Sequence, residues 1–259
     1  MIVNNEEAGR SLLLALQSET GRFQVGVAAA SMDLFSTLDH EHENVLHANE
    51  VSYYRSLHFQ KRKIDFLLGR FAAKKALEQF LRGCDFSRIE IFSGVFHQPV
   101  VRSPSLDRLS VSITHSNGIA LALAHSDAHP MGIDVEAIIP SRINVLASEM
   151  TGRERVFLDA SGDEKVSSYT HAWTAKEALS KVLRLGLACP FEILELSFLK
   201  KTGSLREGRF ANFGVYKSYC WEVGGFSISI VLPSTTAFEG PFSILEEFFL
   251  AAVPQPIYE

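Results

Sequence analysis

Residues 73–81, AKKALEQFL, and residues 175–183, AKEALSKVL, repeat one pattern 102 positions apart, with five of nine residues identical. The shared residues are good helix formers, and the first copy ends an apolar-faced helix predicted over residues 63–81. Strand-like segments follow each copy. The repeat therefore predicts two units, each made of a helix followed by antiparallel strands.

The strands are predicted from alternating or β-branched segments. Asn117-Gly118 marks a hairpin turn, because both residues tolerate positive φ. The predicted fold class is α+β, a pseudo-two-fold duplication of a helix-plus-antiparallel-sheet unit, with an N-terminal half over residues 1–128 and a C-terminal half over residues 129–259. The predicted strands are residues 89–94 (IEIFSG), 109–113 (LSVSI), 119–124 (IALALA), 191–199 (FEILELSFL) and 220–232 (CWEVGGFSISIVL).

Composition narrows the class of protein. The chain has 259 residues, 46% hydrophobic and 21% charged, which is typical of a globular protein. A formal charge of −5 argues against nucleic-acid binding, and no apolar run is long enough to cross a membrane. Three unpaired cysteines and an N-terminus without a leader pattern predict a cytoplasmic protein.

The segment GIDVE, residues 132–136, places Asp134 and Glu136 on one face of a strand, because strand side chains alternate. Alone, this pattern is most often an ordinary polar strand face. Glu177 and Lys181 stand four residues apart on the second helix, where a surface ion pair is the simplest interpretation. Together, three carboxylates and a cation match the ligands of a magnesium ion that holds a phosphate.

Other polar residues have two interpretations each. His115, Thr114 and Ser116 enter a turn and are either solvated or phosphate ligands. The basic run Lys61 to Lys63, with Arg70 two turns later, is either a solvated helix face or a site for the far phosphate of a nucleotide. A transition-metal site is a minor hypothesis for the three histidines His40, His42 and His47. A serine hydrolase is excluded by the lack of a G-x-S-x-G elbow.

Three segments in this order resemble the surfactin-type 4′-phosphopantetheinyl transferases. They are residues 111–124 (VSITHSNGIALALA), 132–136 (GIDVE) and 173–187 (WTAKEALSKVLRLGL). Residues 62–77, RKIDFLLGRFAAKKAL, also look like the N-terminal helix of that family, so the similarity spans roughly residues 50 to 235.

This resemblance implies a monomer that binds coenzyme A and Mg2+, or Mn2+, between its halves. The reaction would move the 4′-phosphopantetheine arm of coenzyme A to a serine of an acyl or peptidyl carrier protein and release adenosine 3′,5′-bisphosphate. The implied metal ligands are Asp134, Glu136 and Glu177, and the implied catalytic residues are Glu177 and Lys181. The implied coenzyme A contacts are Arg62, Lys63, Arg70, Gln98, Thr114, His115, Asp134, Lys176 and Lys181.

One position departs from the family pattern. Where many members have Gly-Lys-Pro, this chain has His97-Gln98-Pro99, so Gln98 replaces a lysine expected near a coenzyme A phosphate. The change affects the expected affinity rather than the reaction. The alternatives to a transferase are a magnesium-dependent nucleotide pyrophosphatase and a coenzyme A-binding protein without turnover.

Overall fold

Two antiparallel sheets, each carrying a long helix on one face, organise the chain. The computed structural model describes residues 9–81, 83–185 and 189–253. Gly186 and Leu187 of the predicted motif, together with the outer ends of the two predicted halves, residues 1–8 and 254–259, therefore lie outside the described residues. The first sheet has the strand order β12-β1-β2-β6-β5 and the second β7-β11-β10-β9-β8, while β3 and β4 form a separate hairpin. The strands are β1 (Arg10–Ser18), β2 (Gly21–Ser31), β3 (Glu90–Ser93), β4 (Pro99–Arg102), β5 (Leu109–Ser116), β6 (Ile119–Ser126), β7 (Gly132–Ala137), β8 (Leu196–Thr202), β9 (Leu205–Phe210), β10 (Tyr216–Val223), β11 (Phe226–Pro233) and β12 (Ala237–Phe238).

The helices differ widely in length, and the two longest each contain 19 residues. The α-helices are α1 (Phe35–His40), α2 (His42–Val45), α3 (Ala48–Ser56), α4 (Gln60–Glu78), α5 (Ile143–Ser148), α6 (Gly152–Asp159), α7 (Lys165–Leu183) and α8 (Ser243–Ala252). Short 3-10 turns occur at Met32–Leu34, Phe86–Arg88, Pro140–Arg142 and Phe191–Leu194. None of the helices in the described part of the chain is both long and apolar enough to cross a membrane.

The two halves repeat one arrangement, which confirms the predicted fold class. In the first half β2 pairs with β6 and β6 with β5, and α4 covers these strands. In the second half β7 pairs with β11 and β11 with β10, and α7 covers them in the same way. The turn at Asn117 and Gly118 has positive φ at both residues, as the hairpin prediction requires.

Glycines at matching positions allow each long helix to approach its sheet. A Cβ on Gly26 of β2 would collide with the carbonyl oxygen of Ala76 on α4. A Cβ on Gly132 of β7 would collide with that of Ala178 on α7. Because Ala76 and Ala178 are also 102 positions apart, these contacts align the two helices and the strands beneath them.

One core joins the halves. It takes alternate residues of both sheets, such as Val27, Leu121, Ile133 and Ile228, together with the apolar face of α8. The C-terminal strand β12 returns to pair with β1 of the first sheet. The C-terminal strand of the second half thus belongs to the sheet of the first half. We propose a boundary near residue 129 for the repeated units themselves.

Three segments differ from the sequence-based expectation. The single strand predicted over residues 220–232 is instead the hairpin of β10 and β11, which turns at Gly224 and Gly225. The hairpin of β1 and β2 was not predicted, because its run of Leu and Ala residues has no turn signal as clear as Asn-Gly. The strand predicted over residues 191–199 begins with a 3-10 turn at Phe191–Leu194, and β8 starts only at Leu196. Phe191 and Leu194 are both buried, and burial rather than alternation explains their apolar character.

Candidate active site

A row of hydroxyl groups joins the two sheets where their edge strands β5 and β7 meet. The hydroxyl oxygens of Ser112, Thr114 and Ser116 accept hydrogen bonds of 3.1 to 3.2 Å from backbone N–H groups of β7. The donors are Ile133, Val135 and Ala137. Side chains of β5 thus provide the acceptors that a neighbouring strand would otherwise supply. We call these three residues the hydroxyl row.

The hydroxyl row also orients the two carboxylates of β7. Thr114 donates to Oδ1 of Asp134 at 2.8 Å, and Ser116 donates to Oε2 of Glu136 at 3.1 Å. Arg142 donates to the same Glu136 oxygen at 2.8 Å. Asp134 and Glu136 therefore share the strand face that the alternation predicted, and the hydroxyl of Thr114 is buried behind them.

Lys181 pairs with the strand beneath its helix. Its Nζ donates to Oδ1 of Asp134 at 2.7 Å and to the carbonyl oxygen of Ile133 at 2.9 Å. This replaces the surface pair between Glu177 and Lys181 that the helix spacing alone suggested. Oδ2 of Asp134 is buried and has no hydrogen-bond partner among the described residues.

Glu177 completes an acidic group of three with Asp134 and Glu136. Burial and, second to it, the nearby charges of Asp134 and Glu136 together raise the pKa of Glu177 to about 7, against the opposing charge of Lys181. Burial likewise raises the pKa of Asp134, although Lys181 and Thr114 oppose the shift. Negative charge is therefore concentrated at one place and is only partly balanced.

These features fit a divalent cation. Within the described residues, Oδ2 of Asp134 has no hydrogen-bond partner, and burial and neighbouring negative charge raise the pKa of the Glu177 carboxyl. No three His, Cys, Asp or Glu side chains of the described residues lie close enough together to hold a metal ion as they stand. Mg2+ would therefore take one or two of these carboxylates and complete its shell with waters and substrate phosphate oxygens.

The repeat places different residues at the matching positions of the first half. Counting from the paired glycines, Ala28 and Ala30 of β2 occupy the places of Asp134 and Glu136, and both alanines are buried beneath α4. Lys75 occupies the place of Glu177 and pairs with Glu78 at 2.9 Å. At these matching positions of the described residues, the acidic group is therefore present in the second half and replaced in the first.

Two adjoining cavities share His97, Pro99 and Ile113. None of the three carboxylates lines either cavity, but Lys181, which pairs with Asp134, lines one of them and His115 lines the other. The first, of about 510 Å³, has both aromatic and basic walls, and the second, of about 620 Å³, is mostly apolar. We call them the polar cavity and the apolar cavity. The polar cavity is lined in part by Tyr53, Arg62, Asp65, Phe66, Arg70 and His115. The apolar cavity is lined in part by Gln98, Val111, Met131, Lys181, Val182 and Leu185.

His115 lies between the basic helix and the acidic group. Its Nδ1 is 3.7 Å from Oδ1 of Asp65, and its side chain is 47% exposed. Burial of the ring lowers its pKa, while Asp65 opposes the shift and Lys181 reinforces it. His115 therefore lines the polar cavity and can contact a ligand there. Its lowered pKa favours the neutral form of the ring.

The basic residues predicted on the first long helix separate into two groups. Arg62 and Arg70 line the polar cavity, and the Arg70 guanidinium stacks 4.6 Å from the ring centre of Phe66 and lies 3.0 Å from Glu50. Lys63 instead lies over the ring of Tyr54 and does not line either cavity. This position argues against the predicted contact between Lys63 and coenzyme A.

Lys176 is a structural residue. Its side chain is fully buried, and its Nζ donates to Oε2 of Glu154 at 2.9 Å and to the carbonyl oxygen of Glu149 at 3.1 Å. Glu154 in turn is the third residue of α6 and closes a capping box with Thr151. Lys176 exposes no surface to a ligand, which argues against its predicted contact with coenzyme A. The sequence TGRE, residues 151–154, carries the capping-box signal that could have identified this partner.

The predicted roles of Thr114 and Gln98 change as well. The Thr114 hydroxyl is occupied by Asp134 and Val135, so it positions a carboxylate instead of contacting a phosphate. Gln98 lines the apolar cavity, but its Oε1 accepts a hydrogen bond from the N–H of Phe96 at 2.9 Å, within its own turn.

The three histidines of the minor metal hypothesis do not form a metal site in the described residues. His47 caps α3 by accepting from the N–H of Asn49, and His42 packs against Tyr54. At least two of the three histidines therefore make structural contacts within the helices of the first half.

Replacing Thr114 tests the positioning role. Thr114→Val keeps the shape of the side chain but removes the bond to Asp134 and the acceptor for Val135. We expect a loss of about 1–2 kcal/mol in the free energy of unfolding and a turnover number lowered by about tenfold. Ser112→Ala is the comparison variant, because among the described residues the Ser112 hydroxyl bonds the N–H of Ile133 and no carboxylate; since Ser112 also lines the apolar cavity, turnover is compared at saturating coenzyme A. Urea unfolding measures the stability of both variants, and an equal loss of turnover in both would contradict the assignment.

The raised pKa of Glu177 gives a pH prediction for the metal-free protein. Between pH 4.5 and about pH 7 the folded protein holds a proton that the unfolded chain has released. Stability from this group is thus present below that window and is lost as pH rises through about 7. We expect the stability of the wild type relative to Glu177→Gln to fall from about pH 5 to about pH 8, and added Mg2+ to reverse the trend. Thermal unfolding of both proteins at several pH values measures this difference in stability. A difference that does not change with pH would contradict the prediction.

Comparison with known proteins identifies the family. Residues 130–231 match the family model of the 4′-phosphopantetheinyl transferase superfamily, and residues 56–125 match that of the 4′-phosphopantetheinyl transferase N-terminal domain. A holo-[acyl-carrier-protein] synthase of Anoxybacillus flavithermus is 41% identical over 86 residues, which cover 31% of this chain and 71% of that protein. A 4′-phosphopantetheinyl transferase of Paxillus involutus is 29% identical over 145 residues, covering 47% and 55% of the two chains.

Among solved structures, a holo-(acyl-carrier-protein) synthase from Bacillus anthracis in complex with CoA (3′,5′-ADP) aligns with a TM-score of 0.37 and 22% identity. It covers 43% of this chain and 96% of that one. The sequence matches include the whole acidic group and Lys181. The chain belongs to the 4′-phosphopantetheinyl transferase superfamily, and it is a transferase.

Proposed function

We propose that this protein transfers the 4′-phosphopantetheine arm of coenzyme A to a serine of an acyl or peptidyl carrier protein, with Mg2+, or Mn2+ in its place, as the metal. The observation that carries the proposal is the position of Lys181 and the acidic group beside two cavities of different character. The polar cavity has arginines and aromatic rings, and the apolar cavity has aliphatic walls. Coenzyme A has the same two-part chemistry, a phosphorylated nucleotide and a pantetheine arm, with a pyrophosphate between them.

In this arrangement the nucleotide lies in the polar cavity. Arg62, Arg70 and His115 can donate to its phosphates, and Tyr53 and Phe66 offer flat surfaces for the base. The pantetheine arm lies in the apolar cavity, which begins at Lys181. The pyrophosphate then falls close to Asp134, where its charge needs neutralisation.

The acidic group would hold the metal. Asp134 offers its Oδ2 atom, which has no hydrogen-bond partner among the described residues, and Glu177 offers its buried carboxyl. Glu136 already accepts hydrogen bonds from Ser116 and Arg142. When bound, Mg2+ neutralises charge on the pyrophosphate oxygens. The rise in the pKa of Glu177 to about 7 is what a site prepared for a cation shows before the cation binds.

The residues of the chain then have distinct roles in the transfer. The serine Oγ of the carrier protein forms a bond to the phosphorus that carries the pantetheine arm, and the bond from that phosphorus to adenosine 3′,5′-bisphosphate breaks. Glu177 takes the serine proton as the general base, directly or through a water. Lys181, held by Asp134, stabilises the departing phosphate.

We further propose that the protein is a surfactin-type member that acts as a monomer. Its two halves lie in one chain, and one cavity takes residues from both halves, including Gln98 and Ile113 from the first and Lys181 and Val182 from the second. The holo-[acyl-carrier-protein] synthase relative matches 31% of this chain. A single copy of this chain therefore supplies both walls of the site.

The test is a transfer assay. The protein is incubated with coenzyme A, Mg2+ and an apo carrier protein, and the carrier is weighed by intact mass spectrometry. A mass gain of one phosphopantetheine, abolished by a chelator, is the expected result. Cleavage of coenzyme A without carrier modification would instead identify a nucleotide pyrophosphatase, and binding without turnover would identify a coenzyme A-binding protein.

A further inference from the structure

The turn between β3 and β4 is closed by its own hydrogen bonds. The N–H of Gly94 donates to the carbonyl oxygen of Gln98 at 2.8 Å, and the N–H of His97 donates to the carbonyl oxygen of Gly94 at 2.9 Å. The Gln98 amide accepts from Phe96 and lies so close to Gly94 that a Cβ there would come within 2.5 Å of it. The Oε1 atom of Gln98 is therefore committed to the turn, and this bond fixes the direction of its side chain.

The same bonds hold His97 in an unusual conformation. Its φ is +62°, in the left-handed region that glycine adopts without strain and that other residues adopt at a cost. Its side chain is exposed, and it borders both the polar and the apolar cavity. Strained residues held by their surroundings are concentrated at ligand sites, so an imidazole in this position calls for a functional explanation.

The surroundings of His97 indicate an anionic ligand. The polar cavity contains Arg62, Arg70 and His115, and its acidic lining residue Asp65 already pairs with Lys61 at 3.0 Å. Arg70 lies 3.0 Å from Glu50, so the two guanidinium groups of the lining face one lining carboxylate, and Arg62 has no acidic partner among the described residues. An imidazole N–H adds one more donor, at the boundary where the nucleotide would meet the pantetheine arm.

We propose that His97 donates a hydrogen bond to a phosphate of coenzyme A, and that Gln98 serves to fix the turn that presents it. This inference depends on the proposed function, because it requires coenzyme A in these cavities. In this chain His97 thus makes the phosphate contact that the family pattern assigns to residue 98. The residue is a ligand-binding residue and takes no part in the proton transfer.

The decisive variant is His97→Gly. Glycine accepts the positive φ without strain, so the fold should be as stable as the wild type or more stable. Removal of the imidazole should still raise the dissociation constant of coenzyme A by roughly tenfold, the effect of one hydrogen bond to a charged group, and leave the turnover number nearly unchanged. Asn117→Gly is the matched control, because Asn117 also has positive φ, at +48°, and lines neither cavity.

Isothermal titration with coenzyme A and with 3′-dephospho-coenzyme A measures the effect. A loss seen with both ligands places the contact at the pyrophosphate, and a loss seen only with coenzyme A places it at the 3′-phosphate. An unchanged dissociation constant in a folded His97→Gly protein would overturn the proposal. Failure of the wild type to bind coenzyme A would overturn the proposed function itself, so the two failures are distinguishable.

Discussion

Glu177→Gln is expected to lower the rate of phosphopantetheine transfer by roughly 10²–10⁴-fold, the range lost when a positioned acid–base group is removed. Glutamine cannot take the serine proton, and its neutral amide is a weaker metal ligand than a carboxylate. Burial and the neighbouring charges of Asp134 and Glu136 raise the pKa of this side chain to about 7. The substitution therefore removes negative charge from a place where three carboxylates repel one another.

The fold should survive this change. Glutamine has nearly the same size and helix propensity as glutamate, and loss of a like charge relieves repulsion inside the folded protein. Circular dichroism and thermal unfolding check the fold, and the carrier-protein mass assay gives the rate at saturating Mg2+. Glu78→Gln on α4 is the matched control, because Glu78 pairs with Lys75 and lines neither cavity. Near-wild-type turnover of the Glu177 variant would show that another group accepts the proton.

Lys176→Met should lower the free energy of unfolding by about 3–5 kcal/mol, the loss typical of removing one member of a buried ion pair. Glu154 has no exposed side-chain surface, and its Oε1 also accepts from the N–H of Leu196 at 2.9 Å. Without the ammonium, the carboxylate is left charged in the interior. Burial already lowers the pKa of Lys176, and the charge of Glu154 opposes that shift. Each buried charge, on Lys176 and on Glu154, is therefore stable in the interior only when the other is present.

The repeat supplies an internal comparison for this variant. Lys74 of α4 donates to Glu50 at 2.5 Å and to the carbonyl oxygen of Val45, and Glu50 caps α3 and accepts from the N–H of Ile91. Lys74→Met should cost less, because Arg70 still lies 3.0 Å from Glu50 after the substitution. Adding Glu154→Gln to Lys176→Met removes the unpaired charge and should recover part of the loss. Urea unfolding measures all three proteins, and a cost below about 1 kcal/mol for Lys176→Met would contradict the paired role.

The sequence predicted the repeated architecture well, for a physical reason. The spacing of apolar residues and the Asn117-Gly118 turn are local signals, and local signals specify helices and hairpins. The alternation in GIDVE also placed Asp134 and Glu136 correctly on one face. What these signals could not specify was which element lies opposite each side chain.

The errors at the site follow from that missing information. Lys176 and Lys181 look alike on a helix, yet one is buried against Glu154 from 22 positions earlier and the other reaches Asp134. Thr114 was assigned to phosphate because its bond to Asp134 depends on how two sheets meet. Gln98 was compared with a lysine by alignment alone, although its amide is held by its own turn.

The hydroxyl row has a further consequence, which concerns aggregation. Edge strands expose unpaired N–H groups that can recruit a strand from another molecule, and proteins need some means of preventing this. Here β5 and β7 are edges of different sheets, and the hydroxyls of β5 occupy the outward N–H groups of β7. The residues that orient the carboxylates therefore also make this edge unavailable for intermolecular β-pairing. A half cut free near residue 129 would lose that protection and expose an edge suited to self-association.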